Sequence, residues 1–456
     1  MAGPAKAHAL VATPKLAVRK PGAWILLVVA AKAAMGAWVL HAGFTHVSDD
    51  DYARVVIAQL FAHAPKLDPS GTSWLPFPFW TVGGLMMLAG RSLAVAQVVA
   101  FGLGVLGAAL VYVALRAAGV APWRAAAGTM LGMATPWNAW LGVATVPESL
   151  TAALVACGAI LLPVPRARPW AAAGLLAAAL SRYEAWPVCA LFAVVCAWSA
   201  VREGRAGDRA WRREACSAAV AALGPLAWMA WNAHVHDGAL HFLRRVATYR
   251  SAMMPEHDTH ALQTLISFPR ALFTGAPEIA PIAALGAFAL SRPATRKRWA
   301  LPLASVAVLL AFLVYGDWSD GAPTHHAERA LAAAWVILAA FGVDGAAELG
   351  RAWVWGRPKR EAWIAAAVVC LLLPWSLTIG GRLADAPGTR TEEQRRDQLA
   401  LGRALAARHA QGFDVVPCAY EHFATLAAFG APEDATILPA SHDRMTGECP
   451  HIVLRP

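Results

Sequence analysis

Charge is scarce in this chain. Only 15% of its 456 residues are Asp, Glu, Lys or Arg, where a soluble protein carries about a quarter. That deficit excludes a soluble globular domain of this length. Recognisable nucleotide and hydrolase signatures are lacking too. No P-loop, GxGxxG, GxSxG or HExxH stands in a context that would support it, which argues against an ATP-driven pump, a dinucleotide enzyme or a zincin. There is no CxxC metal pattern. Of the seven cysteines, Cys157, Cys189, Cys196, Cys216 and Cys370 fall in apolar segments and read as packing residues. Cys418 and Cys449 lie in a polar tail and could pair on an oxidising face.

What the chain has instead is apolar runs near the ~20-residue crossing length, recurring from Trp24 to Thr378. They predict an all-α polytopic membrane protein with about eleven crossings. These fall at 22–43, 93–115, 123–141, 146–164, 168–183, 185–201, 215–235, 271–291, 299–317, 329–349 and 362–381. The first run follows Lys15, Arg19 and Lys20 and is not followed by a small-residue cleavage pattern, so it reads as a retained helix. The net charge of +10 comes from short basic clusters between apolar runs. That is the positive-inside pattern, not a nucleic-acid stripe. It predicts a cytoplasmic N-terminal segment, 1–21, and a transmembrane domain, 22–381. The clusters around Arg116 and Arg124, Arg166 and Arg168, 202–213, 292–298 and 351–360 fall inside.

Counting 76–90 as a crossing would invert two of those clusters. With Pro76, Pro78, Trp74 and Trp80 it reads as an interfacial helix within a first outer loop, 44–92. Residues 382–456 turn soluble in character and predict a small extracytoplasmic α/β appendage. Its helices are expected over 391–411 and 420–429, and its strands over 414–419, 435–440 and 451–454.

Three motifs then share the outer face. Ser48-Asp49-Asp50-Asp51-Tyr52 crowds three carboxylates at the start of an amphipathic stretch running to Phe61. Crowded aspartates beside lipid are costly. A helix N-terminus would hold them, ready to take a hydroxyl proton or to bind a divalent cation, Mg or Mn, through Asp49 and Asp50. Arg182-Tyr183-Glu184 could bind a phosphate, with Tyr183 and Trp186 as a sugar-stacking or interface wall; its plainer reading is an ion pair at a helix end. His325, His326, Glu328 and Arg329 precede another crossing, where Arg329 and His326 can neutralise a lipid-linked phosphate or simply snorkel. Glu148 opens a helix and could do no more than complement its dipole. Lys32 and Asp344 are the clear mid-segment charges, and the sequence suggests a partner for neither. They keep open the alternative of a transporter or flippase for a polar or lipid-linked solute.

Together these motifs resemble the GT-C superfamily of polytopic glycosyltransferases, including protein mannosyltransferases and aminoarabinose transferases. The resemblance covers roughly Trp24 to Trp335. It rests on the acidic first outer loop with Ala58 further along its helix, the Trp74-Leu75-Pro76-Phe77-Pro78 stretch, Arg182-Tyr183-Glu184 and His326-Ala327-Glu328-Arg329. The last is shorter than the mannosyltransferase motif, so mannose specificity is not implied. The absence of a WWDYG signature excludes asparagine glycosylation. The resemblance implies an inverting transferase of the bacterial cytoplasmic membrane. It would move a sugar from a polyprenyl-phosphate carrier to a lipid, glycan or protein acceptor. Asp50, or Asp49 or Asp51, would activate the acceptor, with Arg182, Tyr183, Glu184, His325, His326, Glu328 and Arg329 at the donor phosphate and sugar.

Overall fold

The structure is a computed structural model that describes residues 22–236, 238–253, 261–319, 326–354, 381–386, 395–415, 422–437 and 452–453. Helices dominate it. They run α1 Ala23–His41, α2 Asp50–His63, α3 Phe77–Ala89, α4 Leu93–Ala117, α5 Pro122–Met133, α6 Pro136–Leu141, α7 Glu148–Leu161, α8 Arg168–Ala179, α9 Trp186–Arg205 and α10 Trp211–Val235. Then come α11 His241–Met253, α12 Ala261–Gly275, α13 Ile279–Phe288, α14 Pro293–Trp318 and α15 Ala332–Val354.

Among the described residues, five helical segments are long and apolar enough to cross a membrane, or six if the bent pair α12–α13 counts as one. Segment 215–235 lies in α10, a single 25-residue helix outside that set, and the other expected crossings within these residues are shorter or broken. Segment 123–141 divides at Pro136, which cannot donate to the preceding turn and starts a new helix. Segment 271–291 bends by 101° between α12 and α13, where Pro277 follows Ala276. The crossing expected at 362–381 lies outside the described residues, as do His325, Cys418 and Cys449. Helix α3, expected to lie at the interface, is 13 residues long. At 1.5 Å per residue it is short of the ~30 Å hydrocarbon thickness.

Small residues draw the bundle together. A Cβ on Gly128 would sit 2.8 Å from the Ala340 Cα, and one on Gly132 2.8 Å from the Val336 Cα. This Gly-x-x-x-Gly face of α5 therefore meets the backbone of α15 directly, the close approach that substitutes for hydrophobic driving force between helices in lipid.

Both mid-segment charges have partners. Lys32 donates to the carbonyls of Asn138 at 2.8 Å and Met133 at 3.4 Å, filling the break between α5 and α6, where a helix C-terminus attracts a cation. Asp344, fully buried, accepts from Trp299 Nε1 at 2.9 Å and pairs with Arg124 at 3.0 Å and Arg298 at 2.5 Å. Those contacts tie α5, α14 and α15 together, so both charges have a structural explanation.

Within the described residues the appendage follows the expected pattern. It contains α16 Arg396–Ala407, β1 Phe413–Val415, α17 His422–Phe429, β2 Ala435–Ile437 and β3 Ile452–Val453. The strand order is β2-β1-β3, with β1 parallel to β2 and antiparallel to β3.

Filling the α5–α15 seam should be felt throughout the bundle. Gly132→Val is expected to destabilise the protein by about 1–3 kcal/mol through overpacking, read as a lowered Tm in detergent. An unchanged Tm would show that the two helices can move apart freely.

Candidate functional site

The turn between α8 and α9 and the turn before α15 meet the N-terminal ends of α2 and α7, and the charged motifs come together there. At the middle stands Glu148, the first residue of α7, 2% exposed. The positive end of α7 favours a carboxylate at this position. Its Oε1 accepts from Arg182 Nη1 at 2.5 Å, and from Arg329 Nε at 2.8 Å and Nη2 at 2.5 Å. Arg182 reaches the other way to Glu184, with its Nε 3.0 Å from Oε1. Arg329 also approaches Ser48 Oγ at 3.3 Å and Asp50 Oδ2 at 3.5 Å.

The three aspartates have three different surroundings. Asp49 stands at the N-cap position of α2 with no side-chain bond to the helix amides, and both of its carboxylate oxygens accept from Arg395, at 2.9 Å each. Asp51 is 2% exposed and accepts from the backbone nitrogens of Val47 at 3.1 Å, Ser48 at 3.2 Å and Thr145 at 3.0 Å. It ties α2 to the α6–α7 connection. Burial pushes the Asp51 carboxyl from 3.8 up to about 6, against the pull of Arg329 and of the Ser48 and Val47 amides. A folded pKa above the unfolded one means that stability from this group is fully present below about pH 4 and is lost as pH rises through about 6. Asp50, its side chain 43% exposed, is the open carboxylate of the triplet.

One cation of the centre carried no signal in the sequence. Arg54 follows Asp50 by one turn of α2, so the two share a helix face. Its guanidinium is buried over the Trp74 ring, 4.4 Å from the centroid, with Nε and Nη1 unpartnered. Burial lowers its pKa to about 10, opposed by Glu148 and Asp50. Glu148 was visible only as a helix-opening acid after Pro147; its central role depends on partners 34 and 181 residues away.

The remaining expected residues are placed differently. Tyr183 donates its hydroxyl proton to the Ser73 carbonyl at 2.7 Å, accepts from Trp228 Nε1 at 3.1 Å and stacks on Phe242 at 4.6 Å. It braces the loop that carries Trp74, with Trp186 packed edge-on to it. His326 adopts a left-handed backbone with φ 55° and lies 5.2 Å from the Trp137 ring. Glu328 is half-buried beside Gly275. As for a divalent cation, Asp49 has both oxygens on Arg395, which leaves Asp50 as the open donor of the expected pair. Among the described residues, no group of three His, Cys, Asp or Glu side chains is arranged to hold a metal ion.

No family model matches the sequence, and no curated protein matches it. A solved structure does: ArnT from Cupriavidus metallidurans bound to undecaprenyl phosphate. It superposes with a TM-score of 0.56 over 91% of this chain and 89% of that one, at 16% identity. The fold is that of ArnT. The apolar helices and this fold together make the chain a multi-pass membrane protein.

The fold carries the charged centre at the ends of its helices, and stability there should respond very unequally to two carboxylate changes. Glu148→Gln leaves Arg54, Arg182 and Arg329 without their shared counter-charge and should cost about 3–5 kcal/mol. Asp50→Asn, at an open position, should stay within about 0.5 kcal/mol. Thermal unfolding in detergent reads both, and equal losses would contradict the central place of Glu148. In the same assay, Asp51→Asn should shrink the loss of Tm between about pH 4 and pH 6.

Proposed function

We propose that this chain is an inverting glycosyltransferase of the bacterial cytoplasmic membrane. It transfers a sugar from a polyprenyl-phosphate-linked donor to an acceptor on the outer face, with its N-terminus cytoplasmic and its appendage outside. The observation that carries this reading is the open carboxylate of Asp50 beside a buried cluster of three arginines, in a fold shared with a solved structure bound to undecaprenyl phosphate.

The chemistry can be written with all charges placed. The acceptor hydroxyl oxygen attacks the anomeric carbon as Asp50 takes its proton. The bond from that carbon to the phosphate oxygen breaks, and the electron pair leaves with the polyprenyl phosphate. A single displacement inverts the anomeric centre. The leaving phosphate gains one negative charge as Asp50 loses one, so the net charge at the centre is unchanged. Preorganised guanidinium groups favour the side on which the new charge appears.

Arg54 is the group best prepared for the phosphate, because its Nε and Nη1 have no partner. Arg182 and Arg329 are engaged with Glu148 and lend field from behind. Glu184 orients Arg182, and in this reading His326 and Glu328 contact the donor phosphate and sugar. Asp50 is the general base. Asp49 and Asp51 position it from either side.

Purified protein in proteoliposomes, given a polyprenyl-phosphate sugar and an acceptor preparation, tests the assignment. Asp50→Asn should lower kcat by about 100-fold or more with the donor KM little changed. Arg54→Gln should instead raise the donor KM. Full activity of Asp50→Asn would remove the general-base role.

A further inference from the structure

Helix α2 has two buried faces, and the second one belongs to the appendage. Positions 49, 52, 56, 59 and 63 are spaced three and four apart and form one stripe. Asp49 pairs with Arg395 through both carboxylate oxygens, and Gln59 donates to the Ala427 carbonyl at 2.9 Å. His63 lies 3.2 Å from Glu433, which also takes Arg91 at 2.6 Å. Between these polar ends, Tyr52, Val55, Val56 and Ala58 share one apolar core with Leu405, Phe413, Val415, Ala424, Leu426, Ala427 and Phe429. The appendage is therefore built on α2, and its hydrophobic core is completed by that helix.

We propose that Arg395 is a positioning residue: it clamps Asp49 at the start of α2 and so holds Asp50 in place for the transfer reaction proposed above. Asp51 is pinned from the bundle side by Thr145, Ser48 and Val47, and Asp49 is pinned from the appendage side by Arg395. Asp50 lies between the two anchors and is bound tightly by neither. The left-handed backbone of Arg395, φ 48°, is a costly conformation for a residue with a Cβ, kept where the surroundings over-determine it. The bidentate fork fixes both the distance and the plane of the Asp49 carboxylate. Without it the first turn of α2 would be free to fray. A small displacement of a reacting group lowers turnover more than it lowers donor affinity.

The test uses the full chain in proteoliposomes and has two independent readouts. The first is hydrogen exchange of the α2 amides, which needs no substrate. The second is transfer from a polyprenyl-phosphate sugar. Arg395→Gln should speed exchange in the first turns of α2 and lower kcat by about 10- to 100-fold, with the donor KM within about a factor of two. Asp49→Asn should do the same, and the double variant should be no worse than either single one, because both changes remove one interaction. Arg395→Lys, which keeps the charge but not the fork, should fall between. Unchanged exchange in both single variants overturns the clamp, as does unchanged turnover where exchange is faster, or losses that multiply in the double variant. If the parent protein transfers no sugar, the exchange readout still decides whether Arg395 holds α2, and only the glycosyltransferase reading falls.

Discussion

Everything at the charged end of this protein depends on one buried carboxylate. Glu148 draws Arg182 and Arg329 inward and provides a counter-charge for Arg54. With them come the end of α8, the start of α15 and the face of α2. A buried ion of either sign is costly alone, and a cluster of them is tolerable only when each member is paired. Counting Arg54, Arg182 and Arg329 against Glu148, Glu184 and Asp50, three positive groups face three negative ones. Two of the acids are committed to holding arginines. The third, Asp50, is more exposed and has only a distant contact with Arg329. The uncommitted groups of the centre are thus the Asp50 carboxylate on one side and the Arg54 guanidinium on the other, with the buried Glu148 Oε2 between its arginines also lacking a hydrogen-bond partner. A reaction that moves a proton to an acid while charge builds on a leaving phosphate has the same polarity.

The same electrostatic rule operates elsewhere in the bundle, but to a structural end. Asp344 takes Arg124, Arg298 and the Trp299 indole, which occupies the buried acid on every side. Arg168 and Glu214 pair at 2.6 Å between α8 and α10. In these places every carboxylate holds an arginine and each guanidinium is paired through at least one nitrogen, although Arg124 Nε has no partner. That contrast separates the centre at Glu148 from the ion pairs that only join helices. Helix α2 then couples the centre to the appendage, since one face carries Asp50 and Arg54 and another completes the appendage core.

Much of the architecture was legible because it is set by local chemistry. Three acids before an amphipathic stretch mark the start of α2, and alternating apolar residues mark the short strands of the appendage. The ArnT-like fold was reachable from the Asp, Arg-Tyr-Glu and His-Ala-Glu-Arg motifs, because those motifs do lie together in space, apart from His325, outside the described residues. What was not legible depends on distant pairing or rotation about a helix axis. Glu148 resembled a dipole complement until Arg329 met it. Arg54 was one more basic residue until Trp74 covered it. Asp344 and Lys32 seemed unpartnered, since Arg124 is 220 residues from the first and backbone carbonyls, which hold the second, leave no trace in a sequence. Tyr183 sits inside a motif, yet its hydroxyl serves the Ser73 loop.

The claim that the centre transfers a sugar is tested most directly by following phosphorus. ³¹P NMR of proteoliposomes loaded with a polyprenyl-phosphate sugar distinguishes the donor phosphodiester from the released phosphomonoester. Bond cleavage at the centre predicts that the diester signal converts to monoester as acceptor is supplied, and that Glu148 and Asp50 must both be intact for it to do so. A diester that stays whole while the protein carries it from one leaflet to the other would contradict that claim and make the chain a lipid transporter.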